Sequence, residues 1–176
     1  MAKAVLISIR PEWVEKILAG EKTLEVRKNR PNIETPFKVY IYCTAGNLSY
    51  EVNNGMMCNI SGGKLVAGEF LCETILPIQV ECSSPVALGA GIEIPGTCLT
   101  DRQILEYLGN GKQGYAWHIS DLKIYDQPKP LNAFKGPCKI KVGCWECPYY
   151  NYTKVECDGR TIKRPPQSWC YVEELQ

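Results

Sequence analysis

The chain contains a single histidine, His118. A lone strand histidine is more often a hydrogen-bonded structural residue than a catalyst, so chemistry that depends on imidazole is disfavoured from the outset. No apolar stretch approaches the roughly 20 residues of a membrane-spanning helix, which argues against a membrane partner. The N-terminal MAKAVLISIRPEW turns polar too soon after Lys3 for a signal peptide. A cytoplasmic address is expected from these absences. The glycine-rich run Gly111 to Gly114 holds a lysine but lacks the Lys-Ser/Thr ending and the following helix of a phosphate loop. No internal repeat is apparent.

At 176 residues the chain fits one domain, or one domain with a small appendage, and 45% apolar composition is ample for a packed core. A net charge of +1 hides a segregation along the chain. Residues 1 to 40 hold eight Lys/Arg against five acids, residues 122 to 164 hold nine against four, and residues 41 to 121 hold three against eight. Two basic segments on one side of a fold make a positive surface able to hold phosphates; otherwise they are ordinary solvated surface.

Arg10 to Arg30, read as RPEWVEKILAGEKTLEVRKNR, is the most informative stretch. Pro11 suits a first helical position, Trp13, Val14, Ile17 and Leu18 recur at helical spacing, and Gly20 supplies the left-handed residue that closes the helix. From Lys22, at the junction, the period becomes two. Leu24 and Val26 should then enter a core while Thr23, Glu25 and Arg27 project from the opposite face. Taken alone, that face reads as exposed strand surface with ion pairs worth tenths of a kcal/mol.

The run Gly20, Lys22, Thr23 and Arg27 resembles the G-x-K-T-x-x-x-R hallmark of the ASCH domain family, a branch of the PUA-like superfamily. The resemblance extends to the strands Val39 to Thr44, Lys64 to Phe70 and Tyr115 to Ser120 and to the closing PPQSWCYV run. It implies an α+β fold: a small mixed β-barrel of the PUA-like type with flanking short helices, whose cleft binds RNA or a modified base.

Elsewhere the pattern predicts strands over Ala4 to Ile9, Lys38 to Cys43, Leu65 to Leu76, Tyr115 to Tyr125 and Ser168 to Val172, with Pro77 interrupting the third. Ile78 to Glu81 reads as a short continuation. Asn47 to Gly63 carries turn signals and reads as an excursion or hairpin, and Pro85 to Gly96 reads as loop. Thr100, with Gln103 three residues on, has capping-box spacing before a helix whose stripe is Ile104, Leu105 and Leu108.

Ten cysteines without an export signal argue against a disulfide framework. Cys43, Cys72 and Cys170 read as small buried apolar residues. Cys58, Cys82 and Cys98 fall in or near loops. Cys138, Cys144, Cys147 and Cys157 crowd into an insert at about 136–160 and include a Cys-Trp-Glu-Cys-Pro knuckle that suits a structural zinc ion. Unligated thiols, a redox pair and an iron–sulfur cluster are the alternatives. The domain expectation is one unit, 1–176, carrying this zinc knuckle.

The candidate ligand-binding residues are Arg10, Lys22, Thr23, Glu25, Arg27, Trp117, His118, Ser168 and Trp169. Trp117 and His118 must face opposite sides of their strand, whereas Trp169 and Tyr171 share a face, with Cys170 on the other. Trp13 reads as core. As a binding module, the cleft would hold single-stranded RNA or a modified nucleoside: Arg10, Lys22 and Arg27 on phosphate or a base edge, Glu25 on an exocyclic amine, an aromatic stacking the base. The resemblance also implies an enzyme reading, since some small ASCH proteins are N4-acetylcytidine amidohydrolases and others are described as ribonucleases. Lys22 and Thr23 match the amidohydrolase run, but Glu25 holds the place of its nucleophilic threonine. Lys22 and Glu25 would then be the catalytic pair, although a carboxylate flanked by two cations is a weak general base. A third reading makes the cysteine knuckle a protein-docking surface.

Overall fold

Strand β1 (Lys3–Ile9) is shielded on both faces, with Ala4 through Ile7 fully buried, because it lies inside a five-stranded sheet covered on each side. The computed structural model describes residues 3–52, 55–81, 84–87, 94–138, 147, 150–151, 156–157 and 160–175. Helix α1 (Pro11–Leu18) starts with proline in its first turn and buries Val14, Ile17 and Leu18. Gly20, at φ +74, turns the chain out of the helix towards β2 (Leu24–Arg27). There follow β3 (Phe37–Cys43), the hairpin of β4 (Leu48–Glu51) and β5 (Met57–Ile60), β6 (Leu65–Cys72), β7 (Ile75–Glu81) and β8 (Ser84–Ala87). Helix α2 (Asp101–Leu108) precedes β9 (Gln113–His118) and β10 (Ser120–Pro130). The short β11 (Tyr150–Asn151) and β12 (Glu156–Cys157) pair with each other, and β13 (Trp169–Glu173) closes the order.

The main sheet runs β10-β6-β3-β1-β13 and the second β2-β9-β7-β8. Between them lies a core holding Val5, Ile7, Val39, Ile41, Phe70 and Trp117, against which α1 also packs. The outer face of the main sheet, with Leu6, Tyr40, Tyr42 and Val66, is covered by Phe134. The outer face of the second sheet, with Leu24, Val26, Ile78 and Ala116, is covered by Ile104 and Leu108 of α2. The α2 capping box is present: the Gln103 N–H donates to Thr100 Oγ1 at 3.3 Å and the Thr100 N–H to Gln103 Oε1 at 2.8 Å.

The α+β class agrees with the sequence; the closed barrel does not. Among the described residues no ladder joins the two sheets into one ring. Instead, two long strands bend from one sheet into the other. The chain leaves β6 and enters β7 across Glu73 and Thr74, and leaves β9 for β10 across Ile119. At these bends the His118 N–H donates to the Thr74 carbonyl, and the Ile119 N–H to the Thr23 carbonyl, each at 2.9 Å. The break anticipated at Pro77 falls earlier, because Pro77 lies within β7. Since β8 pairs only with Ile78–Glu81, a residue without an N–H is tolerated at Pro77 on that side. Ser84–Ala87, read mostly as loop, is a short edge strand.

The zinc knuckle falls largely outside what can be described. Cys144 and Cys82 lie outside the described residues, Cys138 is exposed and Cys147 buried. Among the described residues no three potential ligands gather into a metal-holding group. The flanks of the cysteine-rich segment are tied together: Gly136 N–H donates to the Arg160 carbonyl at 2.7 Å, Ile162 N–H to Phe134 at 2.9 Å, and Glu173 N–H to Lys135 at 2.9 Å. Arg160 pairs with the Glu173 carboxylate across the same base. No helix among the described residues is long and apolar enough to cross a membrane.

Candidate binding site

The charged face of β2 is turned inward. Lys22, Glu25 and Arg27 retain 2%, 6% and 7% of their accessible surface, in a position where the alternating pattern alone reads as exposed strand. The local cause begins at the helix stop. After Gly20 the Lys22 N–H caps back onto the Lys16 carbonyl at 3.0 Å, which points the chain into the fold before β2 begins. Leu24 and Val26 then meet α2 on one face, so Glu25 and Arg27 face the interior between the sheets.

Glu25 is the hub. Its Oε2 lies 3.4 Å from the Lys22 ammonium and its Oε1 lies 2.9 Å from Arg27 Nη2. The ammonium also donates to the Thr97 carbonyl at 2.5 Å and sits 5.6 Å from the centre of the Trp13 ring. Arg27 Nη2 donates to the Ser8 carbonyl at 2.8 Å, and Nη1 to Ser168 Oγ at 3.4 Å. Ser8 is fixed in turn, its hydroxyl donating to the Pro166 carbonyl at 2.7 Å. Three backbone segments thus converge on two cations and one carboxylate. Burial pushes the Lys22 ammonium below the ordinary lysine range, while the neighbouring Glu25 carboxylate pulls the other way.

Trp117 is the direct cross-strand neighbour of Glu25 and is wholly buried. Its ring meets Phe37 edge-on with centroids 5.9 Å apart, and Trp169 at 5.9 Å; Trp169 in turn lies 5.4 Å from Tyr171. Trp169 and Tyr171, both half-buried, form the outer end of this aromatic row. Among the described residues, two buried side-chain atoms have no hydrogen-bond partner: Arg27 Nε and Trp117 Nε1.

Of the residues singled out in the sequence, Lys22, Glu25, Arg27, Trp117, Ser168 and Trp169 come together. The other three stand apart. Arg10 is exposed at the start of α1, 3.9 Å from Glu12. The Thr23 side chain is exposed, and its N–H donates to the Gly96 carbonyl at 2.9 Å. His118 faces away from Trp117, with Nδ1 3.8 Å from Glu73. The carbonyls of Ser8 and Thr97 were missed; a buried lysine demands an acceptor, but no residue type announces which carbonyl supplies it. Cys43 and Cys72 are buried as expected, and burial pushes their thiols up to about 11 and about 12, which makes them unreactive packing residues. Cys170 is half-buried on the face opposite Trp169.

The stretch that builds this cluster is also where the chain meets known proteins. Residues 7–53 match the ASCH domain. The ASCH resemblance read from Gly20 to Arg27 is borne out over that span, which runs from β1 to just past β4. Across almost the whole chain the ASCH fold is shared with solved structures of an ASCH protein from Zymomonas mobilis. The unmodified protein matches with TM-score 0.55 and 18% identity, covering 97% of this chain and 88% of that one. A tyrosine-to-phenylalanine mutant of it gives 0.58 and 19%, covering 98% and 92%. A serine-to-alanine mutant gives 0.57 and 19%, covering 97% and 89%. At these identities the likeness establishes the ASCH fold. No curated protein gives a match to the chain.

Proposed function

We propose that this ASCH chain binds RNA or a modified nucleobase in the interior site centred on Glu25. The observation that carries the reading is the Glu25 carboxylate held between Lys22 and Arg27, beside an aromatic row that runs from buried Trp117 to half-buried Trp169 and Tyr171. A carboxylate has about four acceptor positions, so a base amine can be accepted beside the two cations already there. Lys22 and Arg27 engage Glu25 and backbone carbonyls, and in this reading they hold that carboxylate in place for the base edge. Phosphates fall to exposed cations: Arg10 at the start of α1, and Lys28 and Arg30 just past β2. The cysteine insert, with Cys138, Cys144, Cys147 and Cys157 as ligands, binds one structural zinc ion that stabilises a segment too short for its own core.

The test is a tryptophan-fluorescence titration with mixed-sequence single-stranded RNA at two salt concentrations, using wild type and Trp169→Leu, both checked for fold by circular dichroism. Quenching that weakens with salt, and an affinity reduced about 5- to 150-fold in the variant, are expected from the loss of one stacking platform. Absence of quenching by RNA and by free nucleosides at low salt refutes the reading.

A hydrolase reading draws on one observation: burial moves Lys22 towards its neutral, basic form. Against it, the carboxylate that would activate water already engages two cations. Turnover of N4-acetylcytidine that disappears in Glu25→Gln would establish the enzyme.

A further inference from the structure

Among the described residues, the two buried side-chain donors without a partner belong to one face. Arg27 lies two residues beyond Glu25 on β2, and Trp117 lies directly across from Glu25 on β9, so Glu25, Arg27 and Trp117 all point between the sheets. Arg27 and Trp117 are diagonal neighbours across the ladder, a separation that long side chains bridge. Of the other nitrogens of Arg27, Nη2 serves Glu25 and Ser8 and Nη1 serves Ser168, so Nε is its one nitrogen without a partner. Trp117 has only one polar atom, the indole N–H, and it too is free. Leaving a buried donor unmade costs about 1–3 kcal/mol, so two on one face mark a place built for an acceptor.

We infer that Arg27 Nε–H and Trp117 Nε1–H are the specificity-determining donors of the site, receiving a carbonyl oxygen of a ligand whose adjacent N–H is accepted by Glu25. The ligand class is therefore a planar amide edge, C=O beside N–H, as carried by uracil-type and hypoxanthine-type bases. The inference rests on the binding reading above and adds the pattern of donors and acceptors that the site selects. A carbonyl oxygen has two lone pairs and takes both donors at once. A base that presents a bare ring nitrogen next to its carbonyl places an acceptor against Glu25 and is rejected, because a buried acceptor facing a carboxylate has no proton to share.

The experiment uses the whole chain and two ligand pairs, uridine with 3-methyluridine and inosine with 1-methylinosine; methylation removes the N–H and leaves the carbonyl. Binding is followed on the indole N–H resonances of 15N-labelled protein. The chain has four tryptophans, and the Trp117 signal is identified by its loss in Trp117→Phe or, should that variant not fold, by cross-relaxation to the Phe37 and Trp169 rings. Support is a downfield shift of the Trp117 indole proton with at least one parent nucleoside, and affinity lowered about tenfold or more by methylation, the equivalent of one hydrogen bond to a charged group. Binding of the parent and methylated nucleosides alike, with the Trp117 indole unmoved, overturns the inference and leaves the binding reading standing. So does RNA binding without response to either parent nucleoside. If neither RNA nor any nucleoside binds, both fail.

Discussion

Replacing Glu25 with glutamine keeps the shape of the interior and removes its only negative charge among the clustered side chains. Two cations then face each other in the buried interior, one held by the Thr97 carbonyl and one by the Ser8 carbonyl. At an effective dielectric of about 20, each of the attractions at 3.4 and 2.9 Å is on the order of 5 kcal/mol before desolvation is counted. Breaking buried pairs of this kind costs about 3–5 kcal/mol in practice. Lys22 has an escape that Arg27 lacks. Its ammonium is already moved down by burial, and losing the carboxylate that opposes this shift moves it further.

The sign of the pH dependence follows. In Glu25→Gln the unfolded chain holds the Lys22 proton more tightly than the folded one, so stability rises with pH between the lowered folded value and the ordinary lysine value. The variant should therefore be less stable than wild type by about 3–5 kcal/mol at pH 6, with the gap narrowing as pH rises towards 10. Urea unfolding followed by tryptophan fluorescence at pH 6, 7.5 and 9 measures it, and Lys22→Met in both backgrounds isolates the pair through a double-mutant cycle. A loss below about 1 kcal/mol, the range of a solvent-exposed pair, refutes the buried-hub account. A loss that stays constant with pH refutes the role given to Lys22.

Two other outcomes are expected. Gly96 sits at φ +85, its carbonyl receives the N–H groups of Thr23 and Leu24, and an added Cβ would collide with Thr23 Oγ1. Gly96→Ala should cost roughly 1–3 kcal/mol, measured by thermal melting, and should weaken ligand binding by moving the adjacent Thr97 carbonyl away from Lys22; a variant as stable as wild type contradicts this. Purified protein should carry about one zinc ion per chain by elemental analysis; Cys144→Ser/Cys147→Ser should lose it, and full retention refutes the four-cysteine ligand set.

Local rules made much of the fold legible. Pro11 and Gly20 bracket α1, Thr100 and Gln103 cap α2, and alternating residues place Trp169 and Tyr171 on one face of β13. Gly20 to Arg27 also marked where the charged cluster would be. Its burial was not legible, because the face of β2 that carries Glu25 and Arg27 is enclosed by strands remote in sequence, and a period of two says which residues share a face without saying what covers it. The barrel failed for a similar reason. Closure is a question of which strands pair, and the bends at Glu73–Thr74 and Ile119 divide apparently continuous apolar runs between two sheets. Pro77 misled because a proline is excluded only where its N–H would have had a partner.

The strands that turn those corners also determine how anything reaches Glu25. With β6 running on into β7 and β9 into β10, the two sheets are stitched by covalent chain at two places, so they cannot hinge apart like the halves of a clam. The ligand proposed for this interior would enter where side chains and loop backbone, rather than ladders, form the wall. The turn carrying Gly96 and Thr97 and the segment from Pro166 to Trp169 are such places, and each already holds one end of the charged cluster. Access to the interior is thus a matter of exchanging individual hydrogen bonds, one carbonyl or hydroxyl at a time, with the sheets as a fixed frame.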